Sequence, residues 1–281
     1  MNKKTLLICG GTGLLGPYIS EAFEDQWTIV ISARHSQDYP CDFTDKIAVK
    51  TLIDAVRPDA VLHLIAVTDI EACEQNPEYA HSVNAQSVSH VVEAIGPDTQ
   101  ILYISTDQVY PDTAGPHAED VTDPVNVYGI TKLAGEKEAL AHPAALVLRV
   151  NLFGPSRNPK RKSLSDFFID SFTKAKSITL FDDVLFSPLH MKTLARIARK
   201  SIDRNLRGVY NLGSRKGLSK AEFALKLAAH LGLDTSHAAI GQSTAIAGRA
   251  RRTHDLRLDV SRIEKVLGLD MPMLEEDIKK L

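Results

Sequence analysis

Tyr128 and Lys132 stand four residues apart in Tyr-Gly-Ile-Thr-Lys. On a helix that spacing puts a phenol and an ammonium on one face. A cation beside a phenol lowers its pKa and makes it a usable proton donor or acceptor near neutral pH. Of the seven tyrosines only Tyr128 has a lysine four residues on. Upstream, Ile104-Ser105-Thr106-Asp107 closes an apolar run. A hydroxyl at such a strand end can hydrogen-bond a substrate carbonyl alongside the phenol. Taken alone, Ser-Thr-Asp serves equally as a helix cap or a turn.

A third signal is Gly10-Gly11-Thr12-Gly13-Leu14-Leu15-Gly16, set between a short apolar run and a helical pattern. Gly10 lets the chain turn tightly, Gly13 leaves room for a pyrophosphate, and Gly16 lets helix and strand pack closely. The helix that opens at Leu14 and Leu15 offers free N–H groups and a positive dipole end to the phosphates. An NAD site usually carries a carboxylate about 20 residues beyond the glycines. Here the chain reads Ser32-Ala33-Arg34-His35. Arg34 suits a 2′-phosphate, with Ser32 and His35 as helpers, so the sequence favours NADP, with NAD possible.

These residues need a frame. Apolar runs at Thr5–Cys9, Trp27–Ala33, Ala60–Val67, Gln100–Ser105 and Ala145–Val150 predict strands. Helical patterns fall between them at Leu14–Glu24, Asp45–Val56, Glu78–Ile95 and Val127–Ala141. Such alternation predicts an α/β fold of Rossmann type, a doubly wound parallel sheet. After Asn151 the pattern loosens into helices at Leu164–Ala175, Met191–Asp203, Ser219–Leu231 and Val260–Leu267, with short strands at Ser177–Phe181 and Gly208–Leu212. The division expected is a dinucleotide-binding domain over 1–150 and a smaller α+β substrate lobe over 151–281. That boundary is soft, because later elements can return to the first lobe. The basic stretch Pro155–Ser165 reads as a mobile loop.

The chain has 281 residues, enough for a sizeable core. Its formal charge of −2 offers no electrostatic footprint for nucleic acid or an anionic membrane. No apolar run is long enough to span a bilayer. Four glycines break the apolar stretch from Leu6 to Ile19, which argues against a signal peptide. Cys9, Cys41 and Cys73 are odd in number and lack C-x-x-C spacing, which fits a reducing, cytoplasmic setting and no metal cluster.

Together these motifs resemble the extended short-chain dehydrogenase/reductase family, and within it the subfamily of dTDP-4-dehydrorhamnose reductase. The resemblance rests on GGTGLLG (Gly10–Gly16), CDFTD (Cys41–Asp45), DAVLHLIAVTDIEACEQNPEYAHSVNA (Asp59–Ala85) and YISTDQVYPD (Tyr103–Asp112). It extends through EDVTDPVNVYGITKLAGE (Glu119–Glu136) to LRLDVSRIEKVLG (Leu256–Gly268). It implies Tyr128 as catalytic acid, Lys132 as orienter of the cofactor ribose and tuner of Tyr128, and Thr106 as the third member. It also implies Asp42 and Phe43 beside the adenine, and Ala66 and Val67 along the cofactor cleft. The reaction implied is hydride transfer from the nicotinamide to the C4 carbonyl of a nucleotide-activated 4-keto sugar.

Two motifs depart from the subfamily. Gln108 replaces an aromatic residue, and Arg149-Val-Asn-Leu-Phe-Gly154 replaces R-x-S/T-W-x-[YF]-G. Lys160-Arg161-Lys162 has no assigned role. Arg249, Arg251, Arg252 and Arg257 are the first candidates for the substrate diphosphate, with Lys160–Lys162 as runner-up. The alternatives are an epimerase or dehydratase on the same scaffold, for which Asp107 offers a carboxylate, and a non-catalytic nucleotide-binding regulatory subunit. A symmetric homodimer is the default assembly.

Overall fold

The computed structural model describes residues 3–245 and 248–281. One parallel sheet contains β1 (Lys4–Cys9), β2 (Trp27–Ala33), β3 (Tyr39–Pro40), β4 (Ala60–His63), β5 (Gln100–Thr106), β6 (Ala145–Val150) and a returning strand, Gly208–Leu212. Their spatial order is Gly208–Leu212, β6, β5, β4, β1, β2, β3. Near-continuous apolar runs suit strands covered on both faces, and Leu6 to Cys9 are completely buried. Strand order reverses between β1 and β4, which opens a crevice outside their carboxyl ends.

Helices cover both faces. α1 (Gly16–Phe23) follows the glycine turn. α2 (Lys46–Val56) starts where the Asp45 side chain accepts from the backbone N–H groups of Ile47 and Ala48. The strand predicted over Ala60–Val67 stops at His63. Leu64 N–H still donates to the Cys9 carbonyl, but Ile65 to Thr68 then leave the sheet to wall the crevice. The helix predicted over Glu78–Ile95 runs as α4 (Pro77–His81), a π-turn at Ser82–Gln86 and α5 (Ser87–Ala94), and a short helix that was not predicted, α3 (Ile70–Gln75), precedes it. Asn76 caps α4, and Pro77 cannot continue α3 because it lacks an N–H.

α6 (Val127–Leu140) carries the Tyr-x-x-x-Lys motif and is capped by Asn126, whose side chain accepts from Gly129 N–H. Beyond it, Phe153, Phe168, Phe172, Phe186 and Phe223 form the centre of a second, smaller core. It holds α7 (Leu164–Thr173) and α9 (Lys220–Leu231). A single cut at residue 150 does not divide the molecule. The strand Gly208–Leu212 pairs with β6, and α8 (Met191–Asp203) packs on α1 inside the larger core. Among the described residues no helix is long and apolar enough to cross a membrane. All three cysteines are free and buried.

Candidate active site

The crevice at the switch point has a volume of about 970 Å³ and is lined by Gly10, Gly13, Arg34, Asp42, Phe43, Ala66 and Val67. Gly16 serves packing: a Cβ there would stand 1.9 Å from the Gly11 carbonyl oxygen. A Cβ on Gly13 would meet only the Gly10 carbonyl oxygen, at 3.2 Å, and otherwise points into open space. That space is what a close backbone approach by a pyrophosphate requires. Leu14 and Leu15 pack into the main core and do not line the crevice.

At the far end of the crevice Arg34 Nε lies 3.5 Å from Asp42 Oδ2, both half exposed. Asp42 also accepts from the Thr44 backbone N–H (3.0 Å) and hydroxyl (2.7 Å). Those bonds and Arg34 hold its carboxyl below the usual range. His35 faces the crevice, but Ser32 does not help as expected. It is fully buried, and its hydroxyl donates to the Tyr39 carbonyl at 2.7 Å. The short strand β3 therefore takes up the group that the sequence offered to a phosphate.

Tyr128 packs against Val67, which it shares with the crevice wall. Its phenol is buried beside Thr106, at the carboxyl end of β5. Lys132 donates from Nζ to the Ile104 carbonyl (2.8 Å) and sits 4.0 Å from the centroid of the Tyr103 ring. The structure thus brings Thr106, Tyr128 and Lys132 to one strand end. The expected lowering of the phenol by Lys132 is not found. Burial pushes Tyr128 well above an ordinary phenol, with Thr106 pulling the other way. Burial also takes the Lys132 ammonium down to about 7, opposed by Glu136. Desolvation of both groups outweighs their mutual effect, because the ammonium turns toward a carbonyl and an aromatic face.

Residues 4–281 match the RmlD substrate binding domain family. The chain belongs to that family. It is 26% identical to dTDP-4-dehydrorhamnose reductase of Escherichia coli, over 98% of this chain and 96% of that protein. It is 28% identical to methionine adenosyltransferase 2 subunit beta of Danio rerio, over 95% of this chain and 86% of that protein. Its fold matches a crystal structure of dTDP-4-dehydrorhamnose reductase from Bacillus anthracis in complex with NADP. The TM-score is 0.90 at 22% identity, covering 99% and 98% of the two chains.

Within this RmlD-type frame, the two departures converge on one carboxylate. Asn151 donates to Asp107 Oδ2 at 2.6 Å, and Gln108 Nε2 reaches Asp107 Oδ1 at 3.4 Å. Burial raises the Asp107 carboxyl, and these hydrogen bonds oppose the rise. Beneath it lies a buried ion pair. Arg149 Nη2 meets Glu136 Oε2 at 2.8 Å, and Arg149 Nε lies 3.0 Å from Oε1. Ser105 donates to the same carboxylate, while Arg149 Nη1 donates to the Tyr110 hydroxyl and the Glu119 carbonyl.

The four candidate arginines separate. Arg257 binds Asp255 through Nε (2.9 Å) and Nη2 (2.6 Å), and Nη2 also reaches the Gly115 carbonyl. Its charge is matched inside its own loop. Arg251 is exposed, 3.7 Å from Asp112. Arg249 stacks near Phe181, 5.5 Å from the ring centroid. Arg252 ties to Glu71 at 2.7 Å while its Nη1 is buried without a hydrogen-bond partner.

Sequence reasoning missed two residues of this site. Lys220, the first residue of α9, is half-buried near Asp107 and Asp183. Burial, with Arg252 and Arg249 nearby, pushes its ammonium down. Asn84, in the π-turn, accepts from Val67 N–H (2.8 Å) and donates to the Val67 carbonyl and the Thr131 hydroxyl. It fixes the crevice wall against α6. Asn84 lies inside the motif Asp59–Ala85, which is the signal that could have found it.

Proposed function

We propose that the protein is an NADP-dependent reductase of a nucleotide-activated 4-keto sugar. The observation that carries this reading is the gathering of Thr106, Tyr128 and Lys132 at the end of β5, in a cluster against which Val67 packs, and Val67 lines a crevice whose glycine loop leaves room for a pyrophosphate. The residues fit a nicotinamide dinucleotide: Gly10 and Gly13 at the pyrophosphate, Arg34 at a 2′-phosphate, Asp42 and Phe43 beside the adenine, Ala66 and Val67 along the inner wall. When bound, the reduced nicotinamide supplies the hydride. Tyr128 holds a proton that it donates to the oxygen of the reduced carbonyl, and Thr106 orients that oxygen. Lys132 holds the ribose and supports Tyr128 as its proton leaves.

The decisive experiment mixes the purified protein with NADPH and a panel of 4-keto nucleotide sugars and follows cofactor absorbance. Oxidation of NADPH with one of them supports the reading. Binding without turnover would favour a second reading, a nucleotide-binding regulatory subunit, which the 28% identity to a methionine adenosyltransferase beta subunit supports.

Cofactor choice is tested at Arg34. The wild type should bind NADPH more tightly than NADH, by roughly tenfold or more for a guanidinium–phosphate pair at a half-exposed site. Arg34→Ala should remove most of that preference in a fluorescence titration. An unchanged preference would refute the assignment.

On the substrate side, Arg252 and Lys220 become the first candidates for the diphosphate, with Arg249 and Arg251 at the rim. Arg252→Ala and Lys220→Ala should each raise the KM for the nucleotide sugar by about tenfold or more while sparing NADPH affinity. Arg257→Ala should instead lower the melting temperature with little effect on KM. If Arg257 alone controls KM, this placement is wrong.

A further inference from the structure

The basic run Lys160-Arg161-Lys162 has no part in the site described so far, and the structure does not leave it loose. The segment before it is pinned across the glycine loop and α1. The Tyr18 hydroxyl donates to the Pro155 carbonyl at 2.7 Å. Arg157 pairs with Glu21 at 2.6 Å and lies 4.1 Å from the centroid of the Tyr18 ring. Asn158 Nδ2 donates to the Thr12 carbonyl at 2.7 Å, inside the glycine loop itself. The turn then closes on its own polar groups: Asn158 N–H donates to the Ser156 hydroxyl, Lys160 N–H to Asn158 Oδ1, and Arg161 N–H to the Asn158 carbonyl.

Pinned this way, Asn158, Pro159, Lys160 and Arg161 line the same crevice as Gly10 and Gly13. The charges of the run are not equivalent. Lys162 lies 3.2 Å from Asp170, whereas among the described residues Lys160 and Arg161 make no salt bridge. Arg157 is paired with Glu21, and among the described residues lining the crevice the other Lys or Arg is Arg34. The first turn of α1 carries no acidic residue, and Arg34 is engaged at the opposite end with Asp42. A pyrophosphate seated on the loop brings two negative charges, of which a helix N-terminus offsets only about half a unit.

We propose that Lys160 and Arg161, carried over the crevice on this strap from the second lobe, neutralise the pyrophosphate of a nicotinamide dinucleotide held by the glycine loop. The inference rests on the dinucleotide reading above and assigns the basic run to the cofactor, not to the substrate diphosphate. Because the pyrophosphate is common to NADPH and NADH, the strap strengthens both equally. Arg34, by contrast, separates them. The contribution is electrostatic at exposed side chains, so it weakens as salt rises.

The test is equilibrium binding by calorimetry at low ionic strength, with NADPH, NADH and 2′-AMP as probes. The last carries a 2′-phosphate and no pyrophosphate. Lys160→Ala/Arg161→Ala should raise the Kd for NADPH and for NADH by the same factor, on the order of tenfold, and leave 2′-AMP unchanged. Lys162→Ala, whose ammonium is already paired, should leave the dinucleotide constants near wild type. Added salt should shrink the gap between double variant and wild type. Unaltered dinucleotide binding in the double variant would overturn the proposal. A loss confined to NADPH and 2′-AMP would also overturn it, by moving the strap to the 2′-phosphate. A wild-type protein that binds neither dinucleotide would remove the dinucleotide reading and the strap with it.

Discussion

Tyr128→Phe should leave dinucleotide affinity within about twofold while lowering turnover by a factor on the order of 10² to 10⁴, the usual worth of a positioned proton donor. The ring stays, so the contact with Val67 that forms part of the crevice wall is kept. Only the hydroxyl beside Thr106 is lost. Burial holds that phenol protonated well past neutral pH, which is the state needed to give a proton to a developing alkoxide. The check is a pair of measurements on one preparation: NADPH titration by fluorescence, and steady-state reduction of the 4-keto nucleotide sugar that the panel identifies. A variant as fast as wild type would mean that the proton comes from another group. Asp107 would then be the first to examine, because it is buried, its carboxyl is raised, and it adjoins Thr106.

Glu136→Gln should produce the largest loss of stability, about 3–5 kcal/mol, the cost of leaving a buried charge without its counterion. Arg149 and Glu136 are 4% and 2% exposed, so neither can turn to water. Glutamine keeps the shape and one acceptor but removes the charge that faces the guanidinium. The remaining bonds of Arg149, to the Tyr110 hydroxyl and the Glu119 carbonyl, are to neutral oxygens. For a chain of this size the loss corresponds to a fall in Tm of roughly 10 °C. Denaturant melts should show a lower midpoint with an unchanged slope. Lys50→Ala, which removes the exposed Lys50–Asp54 pair, is the control and should change stability by less than about 0.5 kcal/mol. If both variants melt together, the buried pair contributes nothing net. Glu136 also opposes the fall in the Lys132 pKa, so the change should reach the site as well as the core.

What the amino-acid sequence determined by itself is local. The glycine turn, the strand runs and the Tyr-x-x-x-Lys pair depend on residues within a few positions of each other. Backbone sterics and helical or strand periodicity act over that range. β2 falls at Trp27–Ala33 as the apolar run predicts, and α6 carries Tyr128 and Lys132 one turn apart. The π-turn at Asn84 has no such signature, because it forms to meet Val67 and Thr131, 17 and 47 residues away. The phenol's proton affinity follows the same rule: spacing shows that Lys132 is near, but only packing shows that desolvation prevails.

The cations make the division clearest. By composition Arg252, Arg257 and Lys160 are equivalent positive charges on polar stretches. Tertiary structure ties Arg252 to Glu71, 181 residues away, and leaves its Nη1 buried and unpaired. Arg257 is spent on Asp255, two residues before it. Asn158 joins Thr12 across 146 residues and carries Lys160 to the crevice. Charge acts through distance and dielectric, and both are set by which distant segments the cores bring together. Sequence therefore names the chemistry available, and the packed fold decides which of those groups can meet a ligand.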